Sequence, residues 1–265
     1  MRTFRILMLI VLAACSQSTL AATCSPEDYE LKVSGASQCL LMRRFGAIDA
    51  DVMIVWLHGD VSSGGPANYH FVSAEQALNQ FPAVKVLSVA LVRPGYPDGS
   101  GDSSSVAFLQ GGRADHYTTE NLMEVGAAIE RLRAKFQPKK VVVVGHSGGA
   151  TTVAALLGMK PKLIDAAVLV ACPCELTAWR AGRREWSRSE NPIKWADHVD
   201  PSTRVVALTG AKDDNTLPEL AKTYVEALRA RGVEATFQLL ADETHNSAFR
   251  SPQVFNAVRT LLPTK

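Results

Sequence analysis

The sequence predicts an α/β fold in which helices cover both faces of a mostly parallel sheet and a small insertion forms a cap. Apolar strand-like runs alternate with helix-like segments along the chain, which is the pattern of parallel strands joined by crossover helices. Residues Val141–Ala150, VVVVGHSGGA, place a buried strand, a sharp turn and a helix in succession. With 265 residues, 47% of them hydrophobic, the chain is long enough for one sizeable core.

The elements follow in a regular order. An antiparallel hairpin is predicted over Tyr29–Ile48, at the edge of the sheet. The further strands are predicted at Val52–Leu57, Val84–Val92, Val141–Val144, Ala166–Ala171, Arg204–Leu208 and Ala235–Leu240. Helices are predicted at Pro66–Phe81 (in part), Glu120–Phe136, Ala150–Leu157, Leu217–Arg231 and Pro252–Leu262. Apolar residues at three- and four-residue spacing indicate the second helix, and Gly232 ends the fourth.

One segment, about residues 175–201, interrupts this alternation. It is polar and contains three of the four tryptophans together with Arg180, Arg183, Arg184 and Arg188. An insertion between two parallel strands at this point would lie above Ser147 as a cap. Its basic character favours an anionic substrate, although a solvated arginine face is the simpler interpretation.

The first residues are typical of a targeting segment. Arg2 and Arg5 precede a short apolar run, Ile6–Ala14, which is too short to span a bilayer as a helix. Cleavage after Ala22 would leave a single domain over residues 23–265. Alternatively, Cys15 ends a lipoprotein-like sequence and would carry a lipid, the one membrane association predicted here. Both interpretations predict an exported protein, either periplasmic or secreted or, with the lipid, an outer-membrane lipoprotein.

Four cysteines remain once Cys15 is cleaved off or acylated, an even number that suits an oxidising compartment. A bridge between Cys24 and Cys39 is predicted to staple the N-terminal arm. Cys172 and Cys174 are separated by one proline, and a bridge across one residue is strained. We therefore expect them to be two small unpaired residues after a strand.

Charge and composition predict few other partners. The formal net charge of +2 indicates neither a nucleic acid nor an acidic surface as a partner. No Cys or His partner lies at a zinc-like spacing, so no metal site is predicted. The chemistry suggested by the residues below needs no cofactor.

Ser147 is the candidate nucleophile. It lies at the centre of Gly145-His146-Ser147-Gly148-Gly149, and the glycines on either side leave room for a turn that exposes the serine hydroxyl at the carboxyl end of the strand. The following helix directs its N-terminus, with unsatisfied N–H groups, at an anion formed there.

A serine nucleophile needs a base and an orienting carboxylate. Asp213 or Asp214, after the strand ending at Leu208, can supply the carboxylate. Helix capping is the alternative role, and it suits Asp214, Asn215 or Thr216 better than Asp213. His245 follows the last predicted strand in a polar loop and is the candidate base. Ser147, Asp213 and His245 would meet at one edge of the sheet, where ligands bind in open α/β sheets.

Two backbone N–H groups are predicted to stabilise an oxyanion. One belongs to Gly148, directly after the nucleophile. The other is expected in the loop after an early strand, where Trp56-Leu57-His58-Gly59-Asp60 makes the N–H of Asp60 the candidate and Val61 the fallback. The alternative interpretation of His58-Gly59 is a tight turn without a catalytic part. The Gly/Pro-rich loop that begins at Arg93 is expected to form a pocket wall, with Tyr96 packed in it.

With the GHSGG turn, the His-Gly loop, and Asp and His in this order, the chain resembles the α/β-hydrolase superfamily over nearly all of its mature length. The resemblance implies an eight-stranded sheet, a Ser-Asp-His triad and a cap. Gly210–Asn215, GAKDDN, resembles the C-terminal part of the prolyl oligopeptidase and dipeptidyl peptidase group, in which the first Asp is catalytic. The sequence has no segment like the large propeller of those peptidases and carries His146 where they usually have another residue. Its size is more similar to small esterases and dienelactone-hydrolase relatives.

Three functions follow from these features. The leading hypothesis is an exported serine hydrolase that cleaves carboxylic esters of modest size through an acyl-enzyme on Ser147. The alternative is a peptidase or aminopeptidase that uses the same residues on short peptides. A non-catalytic binding protein on the same fold is the third.

Overall fold

A computed structural model describes residues 24–25, 27–62, 64–100 and 115–263. The predicted leader over residues 1–22, including Cys15, lies outside the described residues. Within the described ranges, no helix has the length and apolar character needed to cross a membrane.

Eight strands of the described chain form one mixed sheet in the order β1-β2-β4-β3-β5-β6-β7-β8. The strands are β1 (Lys32–Ser34), β2 (Cys39–Gly46), β3 (Val52–Leu57), β4 (Val86–Leu91), β5 (Lys140–His146), β6 (Ala166–Val170), β7 (Arg204–Gly210) and β8 (Glu234–Leu240). β1 and β2 pair antiparallel with each other, and β2 pairs antiparallel with β4, whereas every pairing from β4 to β8 is parallel. The predicted α/β class and the edge hairpin are therefore confirmed.

Helices cover both faces of this sheet. They are α1 (Tyr69–Gln80), α2 (Thr119–Phe136), α3 (Gly148–Met159), α4 (Leu176–Trp179), α5 (Pro218–Ala230) and α6 (Pro252–Leu261), with two 3-10 helices at Pro192–His198 and Ala248–Arg250. Alternate residues of β3 face opposite sides. Met53, Val55 and Leu57 belong to the core under α2, α3 and α5, while Ile54 and Trp56 belong to the core under α1 and α6. Burial of both faces explains why the central strands are continuous apolar runs in the sequence.

Both pairs of described cysteines form disulfides. Cys24 is bonded to Cys39, as predicted. Cys172 is bonded to Cys174, so the expectation that these two residues are unpaired is wrong. Both sulfur-bearing residues are buried at the carboxyl end of β6, where the chain turns sharply after Ala171, whose φ is 51°. This turn brings together two cysteines that a straight strand would direct to one face at a greater distance.

The insertion over residues 175–201 packs against the domain, and none of its described residues lines the cavity in front of Ser147. Trp179 and Trp186 are only 6% and 8% exposed and pack against each other within the core. The 3-10 helix Pro192–His198 packs against α3 and α5. Two of the three tryptophans of the insertion are thus buried against the domain, and a cap above Ser147 stays a prediction.

Candidate active site

The nucleophile position lies at the junction of β5 and α3. Ser147 has φ 51° and ψ −116°, a conformation that non-glycine residues rarely adopt and that is found at strained functional turns. A side chain at Gly145 would lie 2.6 Å from the backbone of Ala150, and one at Gly149 would lie 2.5 Å from the carbonyl oxygen of His58. The glycines are therefore required by close packing of the backbone, as the sequence pattern predicts.

His245 contacts this serine from the loop after β8. Its Nε2 lies 3.0 Å from Ser147 Oγ, and its Nδ1 lies 2.9 Å from Asp213 Oδ2. With Nδ1–H donating to the carboxylate, Nε2 carries the lone pair that accepts the serine proton. The structure thus brings together Ser147, Asp213 and His245, which lie on three separate loops at the carboxyl edge of the sheet.

Asp213 is held by a set of donors around its fully buried side chain. Oδ1 accepts the N–H groups of Asn215 and Thr216 at 2.9 and 2.8 Å, and Oδ2 accepts the Thr216 hydroxyl at 2.6 Å. Burial alone would raise the pKa of Asp213, but the hydrogen bonds from His245 and Thr216 outweigh it, so the pKa lies below the ordinary 3.8. Asp214, the alternative from the sequence, is exposed at the edge of the site.

Thr216 is a site residue that the sequence analysis missed. The sequence offers it only as a helix cap, yet its hydroxyl also lies 3.0 Å from His245 Nδ1 and 3.2 Å from the carbonyl oxygen of Ala171. The one signal for this role is its position three residues after Asp213, from which a backbone N–H and a hydroxyl can both reach the carboxylate.

The loop after β3 lies next to Ser147, where a loop that carries an oxyanion donor is predicted. A side chain at Gly59 would lie 2.9 Å from Ser147 Cβ, so the backbone of Gly59 and Asp60 passes directly beside the serine. Gly148, the residue directly after Ser147, begins α3. The fallback residue Val61 also borders the cavity in front of Ser147.

A chain of hydrogen bonds connects this loop to His245, the candidate base. The Gly59 N–H donates to the Tyr69 hydroxyl, whose own proton is then available to His146 Nδ1 at 2.7 Å. His146 Nε2–H donates to the carbonyl oxygen of His245 at 3.0 Å. Burial, together with the nearby His245, lowers the pKa of His146 to about 3, so its ring is neutral and can accept at one nitrogen while it donates at the other.

Tyr69→Phe is expected to lower kcat by about 10- to 100-fold, because the change leaves a backbone N–H and a ring nitrogen without their shared hydroxyl partner. KM should stay within about threefold, since the ring still packs against Phe249. The measurement is steady-state ester hydrolysis. The matched control is Tyr224→Phe, which removes a buried hydroxyl that donates to Ala154 within α3. Equal losses in both variants would show that Tyr69 contributes only to general stability.

The cavity in front of Ser147 has a volume of about 560 Å³. It is lined by Tyr69, by the turn between β5 and α3, and by the loops after β3, β7 and β8. Asp214, Asn215 and Arg250 are among its polar residues. None of the described residues that line it belongs to the insertion 175–201. Arg180 lies instead over the rings of Trp179 and Trp186. The arginines of the insertion therefore give no reason to expect an anionic substrate.

No cluster of three or more His, Cys, Asp or Glu that could hold a metal ion occurs in the part of the chain that the structure describes.

Fold and site together define a serine hydrolase of the α/β-hydrolase fold. The family model of the prolyl oligopeptidase family matches residues 96–262, well over half of the chain, and the chain belongs to this family. A comparison with curated proteins finds no match.

Solved structures agree on the fold at low sequence identity. The Pyrococcus furiosus esterase Pf2001 is 16% identical, with a TM-score of 0.65 over 88% of this chain and 90% of that one. Est1E from Butyrivibrio proteoclasticus, with ferulic acid bound, is 14% identical, with a TM-score of 0.66 over 87% and 96%. The Pyrococcus horikoshii acylaminoacyl peptidase is 14% identical, with a TM-score of 0.64 over 86% of this chain but 39% of that one.

Proposed function

We propose that this serine hydrolase cleaves carboxylic esters of modest size through an acyl-enzyme on Ser147, with His245 as base and Asp213 as the orienting carboxylate. The observation that carries the proposal is the pair of hydrogen bonds made by His245. Its Nε2 lies 3.0 Å from Ser147 Oγ, and its Nδ1 lies 2.9 Å from Asp213 Oδ2. Ser147 borders an open cavity that can admit a small ester.

The reaction follows from these contacts. Ser147 Oγ attacks the carbonyl carbon while His245 Nε2 takes its proton, and the developing oxyanion accepts the N–H groups of Gly148 and Asp60. The tetrahedral intermediate collapses as the imidazolium returns the proton to the leaving alcohol. Water, deprotonated by the same histidine, then attacks the acyl-enzyme and releases the carboxylic acid. Asp213 keeps Nδ1 protonated throughout and stabilises the imidazolium.

A peptidase is the second candidate, and two observations favour it. The family includes peptidases by its description, and the carboxylate of Asp214 borders the cavity, where it could bind a substrate amine. The esterase is preferred because the two esterases match this chain over 90% and 96% of their own length. The chain spans well under half of the acylaminoacyl peptidase.

The test combines active-site labelling with a substrate panel. Wild-type protein is expected to react with a fluorophosphonate probe, and Ser147→Ala is not. The panel contains p-nitrophenyl acetate and butyrate, methyl ferulate, alanine p-nitroanilide and acetylalanine p-nitroanilide. Turnover confined to the esters supports the proposal, and a higher kcat/KM on an anilide than on the esters supports the peptidase. Wild-type protein that neither reacts with the probe nor turns over any substrate would favour a binding protein.

We further propose that the protein acts after export. The support is the leader-like sequence of residues 1–22 and the two disulfides of the described chain, which are typical of oxidising compartments. Fractionation of cells that express the full chain tests this location. Cys15→Ser should release the protein from membranes if a lipid anchors it, and should change nothing if cleavage occurs after Ala22.

A further inference from the structure

A buried ion pair lies behind the proposed oxyanion hole. Asp60 Oδ1 accepts Arg93 Nη2–H at 2.5 Å, and the two side chains are only 3% and 4% exposed. The Tyr117 hydroxyl donates to Asp60 Oδ2 at 2.6 Å, and the Tyr96 hydroxyl lies 3.1 Å from Oδ1. His116 Nε2 follows at 3.8 Å. Neither charge takes part in the reaction proposed above.

This ion pair contacts both proposed oxyanion donors. Asp60 itself carries one donor, its backbone N–H. At Gly148, which carries the other, an added methyl group would lie 2.4 Å from Asp60 Oδ1 and 2.9 Å from Arg93 Nη1. The carboxylate and the guanidinium therefore pack directly against the backbone that must bind the oxyanion.

The main chain of Arg93 also contacts residues 58–60, the loop after β3. Its N–H donates to His58 Nε2 at 3.0 Å, which leaves Nδ1 of that ring protonated. His58 Nδ1–H then donates to the carbonyl oxygen of Gly59 at 2.6 Å. Burial holds the pKa of His58 well below its ordinary value, so this neutral tautomer persists. Residues 58–60 are thus attached to residue 93 through backbone and side-chain contacts.

The negative charge of Asp60 lies close to the proposed oxyanion hole and needs the positive charge of Arg93 to neutralise it. Burial raises the pKa of Asp60, but the charge of Arg93 outweighs it and brings the pKa to about 2, so the carboxylate is ionised. An unpaired carboxylate in a buried site would repel a developing oxyanion strongly, because charges interact far more strongly there than in water. Buried ion pairs contribute little net stability as a rule, so a role other than stability is the better explanation.

We propose that Asp60 and Arg93 are a positioning pair for the oxyanion hole. The carboxylate fixes the conformation in which the Asp60 N–H faces the substrate, and the guanidinium cancels the charge that this carboxylate would otherwise exert on the oxyanion. The inference rests on the proposed acyl transfer at Ser147. It adds that the two charges are useful only together.

The test is a charge-balance cycle on p-nitrophenyl acetate. Arg93→Gln alone is expected to lower kcat by about 100-fold, as the loss of one oxyanion donor does. Asp60→Asn alone keeps the shape of the side chain and should lower kcat by about 10-fold. The double variant should regain at least about 10-fold over Arg93→Gln, because it removes the uncompensated carboxylate. KM should change by less than about threefold throughout.

The matched control is the half-buried pair Arg133 and Asp165, whose closest side-chain atoms are 3.5 Å apart near the amino end of β5. The corresponding variants of this pair should leave kcat within about twofold. Equal losses in both pairs, or single losses that multiply in the double variant, would overturn the proposal.

A second measurement is the affinity for phenylboronic acid, which forms a tetrahedral adduct on an activated serine. It should fall in parallel with kcat across the three variants, whereas a purely structural effect would change unfolding temperature without this correlation. If Arg93→Gln fails to fold by circular dichroism, Asp60→Asn decides, since unchanged kcat and boronate affinity in that variant refute the proposal. Failure of the proposed function itself would show separately, as absence of labelling and turnover in the wild type.

Discussion

Ser147→Ala and His245→Ala are each expected to lower kcat for ester hydrolysis by about 10⁴- to 10⁶-fold, and the double variant is expected to be no worse than either. The reason is that the 3.0 Å contact between Ser147 Oγ and His245 Nε2 makes one functional unit. A serine without its base is a poor nucleophile, and a base without the serine has no proton to take. The residual rate should come from the oxyanion donors and from substrate binding.

Release of p-nitrophenol under saturating substrate measures both losses. His198→Ala is the control, because this histidine is exposed on the 3-10 helix Pro192–His198, away from the cavity. It should retain full activity. Losses that multiply in the Ser147→Ala/His245→Ala double variant would show that the two residues act independently and would contradict the triad.

Asp213→Asn is expected to lower kcat by about 10⁴-fold, although it changes one atom. Oδ1 of Asp213 accepts two backbone N–H groups, so the amide oxygen of asparagine must take that place. The amide nitrogen then faces His245 Nδ1 and donates to it, which moves the ring proton to Nε2. In that tautomer Nε2 cannot accept the proton of Ser147.

The matched control for this prediction is Asp214→Asn, a change at the exposed neighbouring carboxylate. It should change kcat by less than about threefold, and KM for aminoacyl substrates is the quantity it can alter. A larger loss at residue 214 than at residue 213 would assign the orienting carboxylate to Asp214 instead.

Asp213→Asn should also change the pH dependence of stability. The pKa of Asp213 is lowered in the folded protein from its ordinary 3.8. Its contribution to the free energy of unfolding is therefore fully present above that value and is lost as the pH falls through the lower pKa of the folded state. Asparagine does not titrate. Between pH 6 and pH 3, Asp213→Asn should therefore lose less stability than the wild type, as measured by urea unfolding.

The sequence predicts the sheet, and the proximity of Ser147, Asp213 and His245, because each depends on local signals. A run such as Val141–Val144 is long enough to be recognised as a buried strand, and the order of Ser147, Asp213 and His245 follows from where predicted strands end. The closeness of the loop after β3 to Ser147 follows in the same way, from the His-Gly pair at the end of that strand. Each of these signals can be recognised from residues that are close together in the sequence.

What the sequence does not predict depends on contacts between distant residues. Tyr69 and His146 are 77 positions apart, and Asp60 and Arg93 are 33 apart, so no spacing rule connects them. The error at Cys172 and Cys174 has a local cause, the sharp turn at Ala171, which a strand-like sequence does not reveal. The burial of Trp179 and Trp186 is likewise not visible in the sequence, where the two residues belong to a polar, arginine-rich segment.

The hydrogen-bonded chain from Gly59 through Tyr69 and His146 to the carbonyl of His245 has an evolutionary consequence. The contribution of each of these two side chains depends on the other, because the Tyr69 hydroxyl and His146 Nδ1 satisfy one another. Positions 69 and 146 are thus epistatic, and a lineage that changes them one at a time passes through a poorer catalyst. A library that randomises both positions together should yield active pairs that neither single-site library contains.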